Sequence, residues 1–388
     1  MTGEHQVLSY LRAQQAPMID LLKDLVLMET PSTEADSQAA IRARLKSEFE
    51  QFGYRVLLVP GRESGGHLYA APKNRAKDQL AQLMIGHCDT VWPIGTLQTM
   101  PLQSVQSESD TLHGPGVYDM KAGLVEIIYA LRAIDSLGLK PSVAPLCFIN
   151  SDEEIGSRES TRYVRALAQR VDRCMVLEPS LGHSGKIKTA RKGVGRFTVT
   201  VEGKAAHAGL DPGAGASAIL ELSHVIQKLF LLNDPAHGTS VNVGVIDGGI
   251  RPNMVAPQSR AVIDVRVPTR ADADRIEAAI HGLERETEGV SLHVEGAIGR
   301  PPMEPTEANQ RFWKIARALG EELDLVLEEG TAGGGSDGNT TSLYTATLDG
   351  LGAVGDGAHA KHEHIFVDRL PERCALLTLL LLVPPLNS

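Results

Sequence analysis

The sequence is poor in the features that mark secreted, disulfide-bonded or membrane proteins. Only four of its 388 residues are cysteines, and no two of them form a Cys-x-x-Cys pair. Reduced, buried thiols in a cytoplasmic protein are the simplest interpretation of such cysteine usage. The N-terminus lacks a basic segment followed by an apolar run, so no signal peptide is predicted.

Long hydrophobic runs and an excess of positive charge are also missing. The most apolar stretch covers only residues 375–383, whereas a membrane-spanning helix needs ~20 residues. Pro371 before this stretch and Pro384 after it favour a buried C-terminal helix. The net charge of −10 argues against nucleic acid or an anionic membrane surface as a partner. The remaining composition, 42% hydrophobic and 22% charged, is that of an ordinary globular protein.

The first 180 residues alternate short apolar runs with amphipathic helical patterns. Residues 54–59, 80–85 and 143–149 are predicted strands, although Pro145 weakens the third prediction. Apolar residues recur at helical spacing from Leu124 to Ile134, and Gly138 is placed to end that helix. This alternation predicts an α/β domain with a mostly parallel sheet.

The middle of the chain has a different pattern. Between residues 191 and 300 the predicted order is β-α-β-β-α-β, which is typical of a small ferredoxin-like α+β sandwich. After residue 300 the alternation of helix and strand returns. We therefore expect a catalytic domain formed by residues 1–190 and 301–388, with residues 191–300 inserted as a second domain.

Five side chains that can bind metal stand in short, distinctive segments. They are His87 in Gly-His-Cys-Asp-Thr, Asp119 in Gly-Pro-Gly-Val-Tyr-Asp, Glu154 in Ser-Asp-Glu-Glu, Glu178 in Leu-Glu-Pro-Ser and His359 in Gly-Ala-His-Ala. Two imidazoles and three carboxylates suit a pair of Zn²⁺ ions if one carboxylate bridges them, and Co²⁺ or Mn²⁺ would accept the same donors. Glu153 stands beside a predicted ligand and is the candidate general base. Together these residues predict metal-assisted hydrolysis of an amide or ester.

Each motif taken alone also has an ordinary structural explanation. His87 ends a predicted strand, which is where α/β sheets place their ligands, and Asp89 can bind its second ring nitrogen and fix its tautomer. The same pair could be a strand-end histidine followed by a turn aspartate. Asp119 could be a helix N-cap, and the acids around Glu154 an exposed turn. The combination of all five favours the metal site.

Two further interpretations concern the acid pair and the glycines. On extended backbone Glu153 and Glu154 would face opposite ways, so one could bind metal while the other faces the attacking water. The glycines before Asp119 partly match a dinucleotide-binding loop. The third glycine is absent, however, and an acid stands where a phosphate needs N–H donors. A nucleotide-dependent enzyme is therefore the weaker alternative.

With these motifs in view, the chain resembles the co-catalytic zinc amidohydrolases, a family that includes glutamate carboxypeptidase of the carboxypeptidase G type, aminoacylase, acetylornithine deacetylase and succinyl-diaminopimelate desuccinylase. The resemblance extends over about residues 20–380. It implies that Asp119 bridges two zinc ions, that His87 and Glu178 complete one site, and that Glu154 and His359 complete the other. It also implies that Glu153 is the general base.

The resemblance includes the inserted domain, which in this family is a lid that carries the dimer interface. His207 in Gly-Lys-Ala-Ala-His-Ala-Gly resembles the lid histidine that stabilises the oxyanion in the partner subunit's active site. Asn253 and Arg266 resemble lid residues that hold substrate. Strand alternation directs Arg266 away from the apolar face that contains Ile263, which is also the pattern of a solvated strand arginine. Because the lid carries the dimer interface in this family, the resemblance implies a homodimer.

Two features lean toward the glutamate carboxypeptidase branch. Arg300 resembles an arginine that grips a substrate carboxylate, and Gly334 and Ser336 belong to a segment that resembles the Gly-rich loop of the same pocket. Glutamate at the position of residue 178 is also usual in those members of the family whose substrates bear a carboxylate. The residues that follow His359 depart from the family pattern.

The sequence therefore predicts a hydrolase of an N-acyl amino acid or of a peptide with a C-terminal, glutamate-like residue. The alternatives are a deacylase of another N-acyl amino acid, similar to aminoacylase or acetylornithine deacetylase, and a metal-bound relative without activity. Glu153 argues against the inactive relative, because binding alone requires no base.

Overall fold

The computed structural model describes residues 3–106 and 110–386, so the first two residues of the predicted catalytic segment lie outside it. The helices are α1 Gly3–Ala13, α2 Gln15–Leu27, α3 Ala39–Gln51, α4 Ala122–Ser136, α5 Thr161–Ala168, α6 Ala218–Phe230, α7 Arg270–His281, α8 Glu307–Glu322, α9 Asp337–Thr341 and α10 Leu370–Leu382. The strands are β1 Tyr54–Val59, β2 His67–Pro72, β3 Ala81–His87, β4 Gln103–Val105, β5 Thr111–His113, β6 Ala144–Asn150, β7 Arg173–Val176, β8 Ile187–Arg191, β9 Gly193–Glu202, β10 Ser240–Gly248, β11 Gln258–Val267, β12 Ser291–Arg300, β13 Glu329–Ala332, β14 Ala346–Leu348, β15 Gly355–Asp356 and β16 His364–Phe366.

Internal contacts divide the chain into two compact units. The first unit comprises Met1–Ala190, Pro305–Ala332 and Ser336–Ser388. The second comprises Arg191–Glu304 together with Gly333–Gly335. The functional domains assigned from the sequence, 1–190 with 301–388 and 191–300, stay predictions.

The first unit is built on a six-stranded sheet with the order β1-β2-β6-β3-β7-β14. Strands β6, β3, β7 and β14 run parallel to one another, and β1 and β2 add an antiparallel edge. The predicted α/β class with a mostly parallel sheet is therefore confirmed. Every residue of β3 and β6 is buried, as expected for parallel strands covered on both faces.

Pro145 lies inside the central strand β6, a position that proline usually disfavours. Strand β2 pairs with β6 only at Cys147, Phe148 and Ile149. Pro145 is thus beyond the part of β6 that uses β2 as a neighbour, where its missing N–H costs no bond to that strand. The third predicted strand is present despite the proline.

Helices α4 and α10 supply much of the core of the first unit. Twelve residues of α4 are buried, which is typical of a helix that is apolar nearly all round. The helix ends before Gly138, whose φ of 65° completes the predicted stop. Helix α10 begins one residue before Pro371 and ends before Pro384, as the proline positions predicted. Within residues 3–106 and 110–386, no helix is both long and apolar enough to cross a bilayer.

The second unit has the predicted order β9-α6-β10-β11-α7-β12. Its four strands form an antiparallel sheet with the order β10-β11-β9-β12. Burial alternates strictly along β11, so Ile263 and Val265 are buried while Asp264 and Arg266 lie on the opposite face. The ferredoxin-like arrangement is confirmed, and so is the direction of Arg266.

Candidate metal centre

The predicted ligands lie at one edge of the central sheet. His87 is the last residue of β3, the Glu153–Glu154 pair follows β6, and Glu178 follows β7. These three strands are parallel neighbours, so their C-terminal ends meet at the same edge. Strand order therefore explains how residues 87, 154 and 178 come together.

Two loops bring the remaining ligands to this edge. Asp119 lies in the kinked turn Val117–Lys121 that leads into α4, where its own backbone is not helical, and the Asp119–Met120 peptide bond is cis. His359 lies in the loop after β15 with a φ of 61°, a left-handed conformation that is uncommon for histidine and is found where surrounding structure imposes it.

The two carboxylate oxygens of Asp119 face different histidines. Its Oδ1 lies 3.2 Å from Nε2 of His87, and its Oδ2 lies 3.6 Å from Nε2 of His359. On one side Glu178 Oε1 is 3.5 Å from His87 Nε2. On the other side Glu154 Oε2 is 3.0 Å from His359 Nε2. The five predicted ligands thus form two sets that share Asp119.

These separations fit two tetrahedral ions. With metal–ligand bonds of ~2.0–2.1 Å, two ligand atoms of one tetrahedral ion lie ~3.3 Å apart. The four measured separations run from 3.0 to 3.6 Å. Histidine nitrogen with carboxylate oxygen is also a donor set that zinc accepts. Both the geometry and the donor chemistry therefore fit a dinuclear centre.

Crowding of carboxylates perturbs the protonation of the ligands. Burial, together with the nearby Asp119 charge, raises the pKa of Glu154 to about 7. The hydrogen bond to Glu154 raises the pKa of His359 to about 9. Burial disfavours the charged form of His87, yet hydrogen bonds to Asp119, Asp89 and Glu178 still raise its pKa well above the usual value. The site therefore stabilises positive charge among its carboxylates.

Asp89 connects His87 to the acid pair. Nδ1 of His87 is hydrogen-bonded to the Asp89 backbone carbonyl at 3.0 Å and lies 3.4 Å from Asp89 Oδ1. The Asp89 carboxylate accepts the backbone N–H of Glu153 at 3.3 Å and of Glu154 at 3.2 Å. Ser32 donates to the same carboxylate at 2.6 Å. Asp89 is completely buried. It therefore orients both the ligand ring and the turn that carries the predicted base.

The acid pair lies in a turn, and the expectation of extended backbone at this point is wrong. Gly156 N–H donates to the Glu153 carbonyl at 2.8 Å, and Ser157 N–H donates to the Asp152 carbonyl at 2.7 Å. Both glutamates reach the ligand cluster. One ligand atom each of Glu154, His87 and Asp119 lie within 4.8 Å of one another. The same holds for a second set formed by Glu153, His87 and Glu178.

Comparison with known proteins identifies the family. The profile of Peptidase family M20/M25/M40 matches residues 83–383, which is most of the chain. The chain belongs to this family. Carboxypeptidase G2 of Pseudomonas sp. (strain RS-16) is 28% identical over 371 residues, covering 93% of this chain and 87% of the relative. Succinyl-diaminopimelate desuccinylase of Azoarcus sp. (strain BH72) is 27% identical over 299 residues, covering 73% and 77%.

Solved structures share the fold. Aminopeptidase PepT from Bacillus cereus superposes with a TM-score of 0.77 at 20% identity, covering 96% of this chain and 99% of its own. A dinuclear metal-binding peptidase of the M20 family from Bacillus subtilis gives a TM-score of 0.70 at 16% identity, covering 96% and 98%. The predicted zinc-peptidase type of fold with a separate lid is thereby confirmed. The protein is a metal-binding hydrolase of the M20 family.

Glu363 is a central residue of this M20 site that the sequence did not reveal. Its buried carboxylate accepts the backbone N–H of Gly116 at 2.9 Å and those of Tyr118 and Asp119 at 3.0 Å, and Trp92 Nε1 donates to it at 2.8 Å. It therefore holds the turn that presents Asp119. The position of an acid four residues after His359 was the only signal in the sequence.

Gly116 has a steric role in the same turn. Its φ is 71°, and a Cβ at this position would lie 2.6 Å from Cγ2 of Thr90. Both the left-handed backbone and the lack of space favour glycine. The predicted N-cap alternative for Asp119 is not what the structure has, since the residue that precedes α4 makes no side-chain cap.

The predicted lid residues lie in the second unit. His207 is exposed, and its Nδ1 accepts the backbone N–H groups of Gly209 and Leu210 at 3.1 Å. An accepting Nδ1 places the proton of the neutral ring on Nε2, which becomes a donor. The Asn253 carbonyl accepts the N–H of Ala208, which brings these two predicted residues into one loop pair.

The predicted carboxylate-binding residues are divided between the units. Arg266 and Arg300 are both cross-strand partners of Val194, so they lie in one row at the same end of the lid sheet. Gly334 belongs to the second unit, and its carbonyl accepts from Arg191 at 3.1 Å. Ser336 belongs to the first unit, is fully buried, and caps α9 by accepting the Gly338 N–H at 2.9 Å. Its hydroxyl is engaged within its own unit.

Proposed function

We propose that this M20 hydrolase cleaves the amide bond of an N-acyl amino acid, or of a short peptide, whose C-terminal residue is glutamate-like. The observation that carries the proposal is the bridging position of Asp119, with each carboxylate oxygen turned to a different histidine. A bridged pair of ions is an arrangement used for hydrolysis of amides and esters.

The chemistry needs one base beside the metal ligands. When bound, the metal ions supply Lewis acidity and lower the pKa of an attacking water. Glu153 is held in place by the bond from its backbone N–H to Asp89 and lies within the ligand cluster without being needed to complete either set. It accepts the proton of the attacking water and returns it to the leaving amine. His207 of the partner subunit donates through Nε2 to the developing oxyanion.

Two arginines support a substrate with a free carboxylate. Arg266 and Arg300 flank the same residue of β9, and a guanidinium suits a carboxylate through paired N–H donors. The similarity to a relative named carboxypeptidase G2 supports release of a C-terminal residue as the reaction of this protein. The relatives named succinyl-diaminopimelate desuccinylase favour the alternative, a deacylase of another N-acyl amino acid.

We further propose zinc as the metal, a homodimer formed through the lid, and action in the cytoplasm. Zinc is supported by the tetrahedral separations between ligands. The homodimer would bring His207 of one subunit to the active site of the other. It is supported by β10, which lies at the edge of the lid sheet and exposes Val245 (58%) and Ile246 (64%). The four buried free cysteines are consistent with a reducing compartment.

Replacing Glu153 tests the proposed chemistry. Glu153→Gln keeps the shape of the side chain and removes the base, so turnover of an N-acyl glutamate should fall at least ~10²-fold while both metals stay bound. The metal content, measured by mass spectrometry, separates loss of the base from loss of the site. Glu321→Gln, a change at an exposed glutamate (70%), is the matched control and should leave the rate unchanged. Near-normal activity of Glu153→Gln would contradict the proposal.

A further inference from the structure

A second cluster of histidines lies on the small sheet of the first unit. This sheet has the order β15-β16-β5-β4. Asp356 of β15 is paired with His364 of β16, and His364 is paired with His113 of β5. Directly paired residues on adjacent strands project from the same face with Cβ atoms ~5 Å apart. One carboxylate and two imidazoles therefore form a row across three strands, and the two rings stack at 4.9 Å.

Two more imidazoles approach the carboxylate that ends this row. Nε2 of His183 lies 3.5 Å from Oδ2 of Asp356, and Nε2 of His362 lies 4.0 Å from the same oxygen. Two of the 13 histidines of the chain thus lie within 4.0 Å of the Asp356 carboxylate, and two more stand in the row that it ends. None of these five residues belongs to the dinuclear centre.

His364 is held in the manner of a metal-binding histidine. Its Nδ1 donates to the carbonyl of His362 at 2.8 Å, which leaves Nε2 as the ligating nitrogen. A bond from the second ring nitrogen to a backbone carbonyl is the usual means by which a protein fixes the tautomer of a histidine ligand.

We propose that Asp356, His183 and His362, with His364 beside them, form a separate site for a divalent transition-metal ion. Zn²⁺, Ni²⁺ and Cu²⁺ accept imidazole nitrogen together with one carboxylate oxygen. The separation of 3.5 Å between His183 and Asp356 is already close to the ~3.3 Å edge of a tetrahedral zinc site. The hydrogen bond from the Gly357 N–H and the neighbouring His183 lower the pKa of Asp356, which keeps this ligand ionised.

Binding at this site requires a side-chain rotation. Asp356, His183 and His362 are not among the sets of described residues whose ligand atoms all lie within 4.8 Å of one another. Their side chains are 57%, 63% and 66% exposed, so the two rings can turn toward a common ion without disturbing the core. Asp356 and His362 each stand three residues from His359, so an ion here would join both ends of the loop that carries this catalytic-site ligand.

The number of bound metal ions tests the proposal. Untagged protein is dialysed to equilibrium against micromolar Zn²⁺, and zinc per chain is measured by mass spectrometry. The double variant His183→Gln with His362→Gln should bind one ion fewer than the wild type. The matched control is His237→Gln, which removes an exposed histidine that also pairs with an aspartate, at 2.6 Å from Asp234. The control should bind as many ions as the wild type.

Because only the difference between proteins is used, the result does not depend on the activity or on the occupancy of the dinuclear centre. Equal zinc content of the wild type and the double variant, with the fold intact by circular dichroism, would overturn the proposal. A second measurement needs no variant at all: Cu²⁺ added to zinc-loaded protein should give an electron paramagnetic resonance spectrum with coupling to two or more imidazole nitrogens. A spectrum with coupling to fewer than two nitrogens would also overturn it.

Discussion

Two buried carboxylates, Asp89 and Glu363, position the candidate ligands of the metal centre. Asp89 lies beside the second ring nitrogen of His87 and accepts the backbone N–H groups of the turn that carries the acid pair. Glu363 accepts three backbone N–H groups of the turn that presents Asp119. Neither is placed to bind an ion itself, so each acts through the residues that it positions. Such outer partners often matter for metal affinity nearly as much as the ligands.

Glu363→Gln should therefore weaken metal binding by ~10- to 100-fold. The amide would place N–H donors against backbone N–H donors, which loosens the Asp119 turn. Affinity is measured by competition with a chromophoric chelator. Glu328→Gln, a change at a half-exposed surface glutamate, is the control and should keep wild-type affinity. If Glu363→Gln also keeps wild-type affinity, the positioning role is wrong.

Sequence motifs indicated the candidate ligands that the structure brings together, but they did not indicate Glu363. Each ligand stands in a short segment at the end of a strand or before a helix, and strand order then brings the segments together. The role of Glu363 depends on backbone N–H groups of a turn that lies 244 to 247 positions earlier. Backbone donors leave no trace in residue identity, so this contact was not predictable.

Helix α4 contains a buried acid that the dinuclear centre does not use. Glu126 has no exposed surface, and among residues 3–106 and 110–386 neither of its carboxylate oxygens has a hydrogen-bond partner. Burial raises its pKa well above the usual value, although the charge of Arg373 opposes the shift. We infer that Glu126 is protonated in the folded protein at low and moderate pH.

Glu126→Gln should change how stability depends on pH. In the unfolded chain Glu126 loses its proton above pH ~4.3, while the folded chain retains it, so wild-type stability falls as pH rises above that value. The variant lacks this loss. The unfolding free energy of the variant should therefore exceed that of the wild type by an amount that grows with pH, at most ~1.4 kcal/mol per pH unit. This pH-dependent difference should vanish below pH ~4. Denaturant titrations from acid to neutral pH measure it, with Glu321→Gln as control. A difference that is constant with pH would contradict the protonated state.

Most elements were predictable from periodicity, and the exceptions have local causes. The strand around Pro145 survives because it pairs with β2 only beyond the proline. The backbone of the Glu153–Glu154 pair was predicted as extended because it follows a strand, yet Gly156 and Ser157 close a turn there. Turn formation depends on hydrogen bonds that alternation of apolar residues does not encode.

If the protein forms the proposed homodimer through the lid, a charged substitution on β10 should disrupt the dimer. Ile246→Asp should shift the protein from dimer to monomer, because a charge would be buried in the interface between lids. Light scattering after size exclusion measures the mass. Val326→Asp changes a more exposed residue (87%) of the first unit and should leave the mass unchanged. A wild-type monomer, or a dimer that is insensitive to Ile246→Asp, would rule out assembly through this edge.

The proposed function is metal-dependent hydrolysis of an acyl amino acid with a free carboxylate. The most direct measurement is release of amine from N-acyl amino acids, including N-benzoyl-glutamate and N-acetyl-ornithine, with Zn²⁺ and after chelation. We predict hydrolysis that chelation abolishes and Zn²⁺ restores, with glutamate substrates cleaved fastest. Turnover that favours other amino acids would retain the chemistry and contradict the glutamate assignment. No turnover by protein that holds both metals would contradict the proposed function.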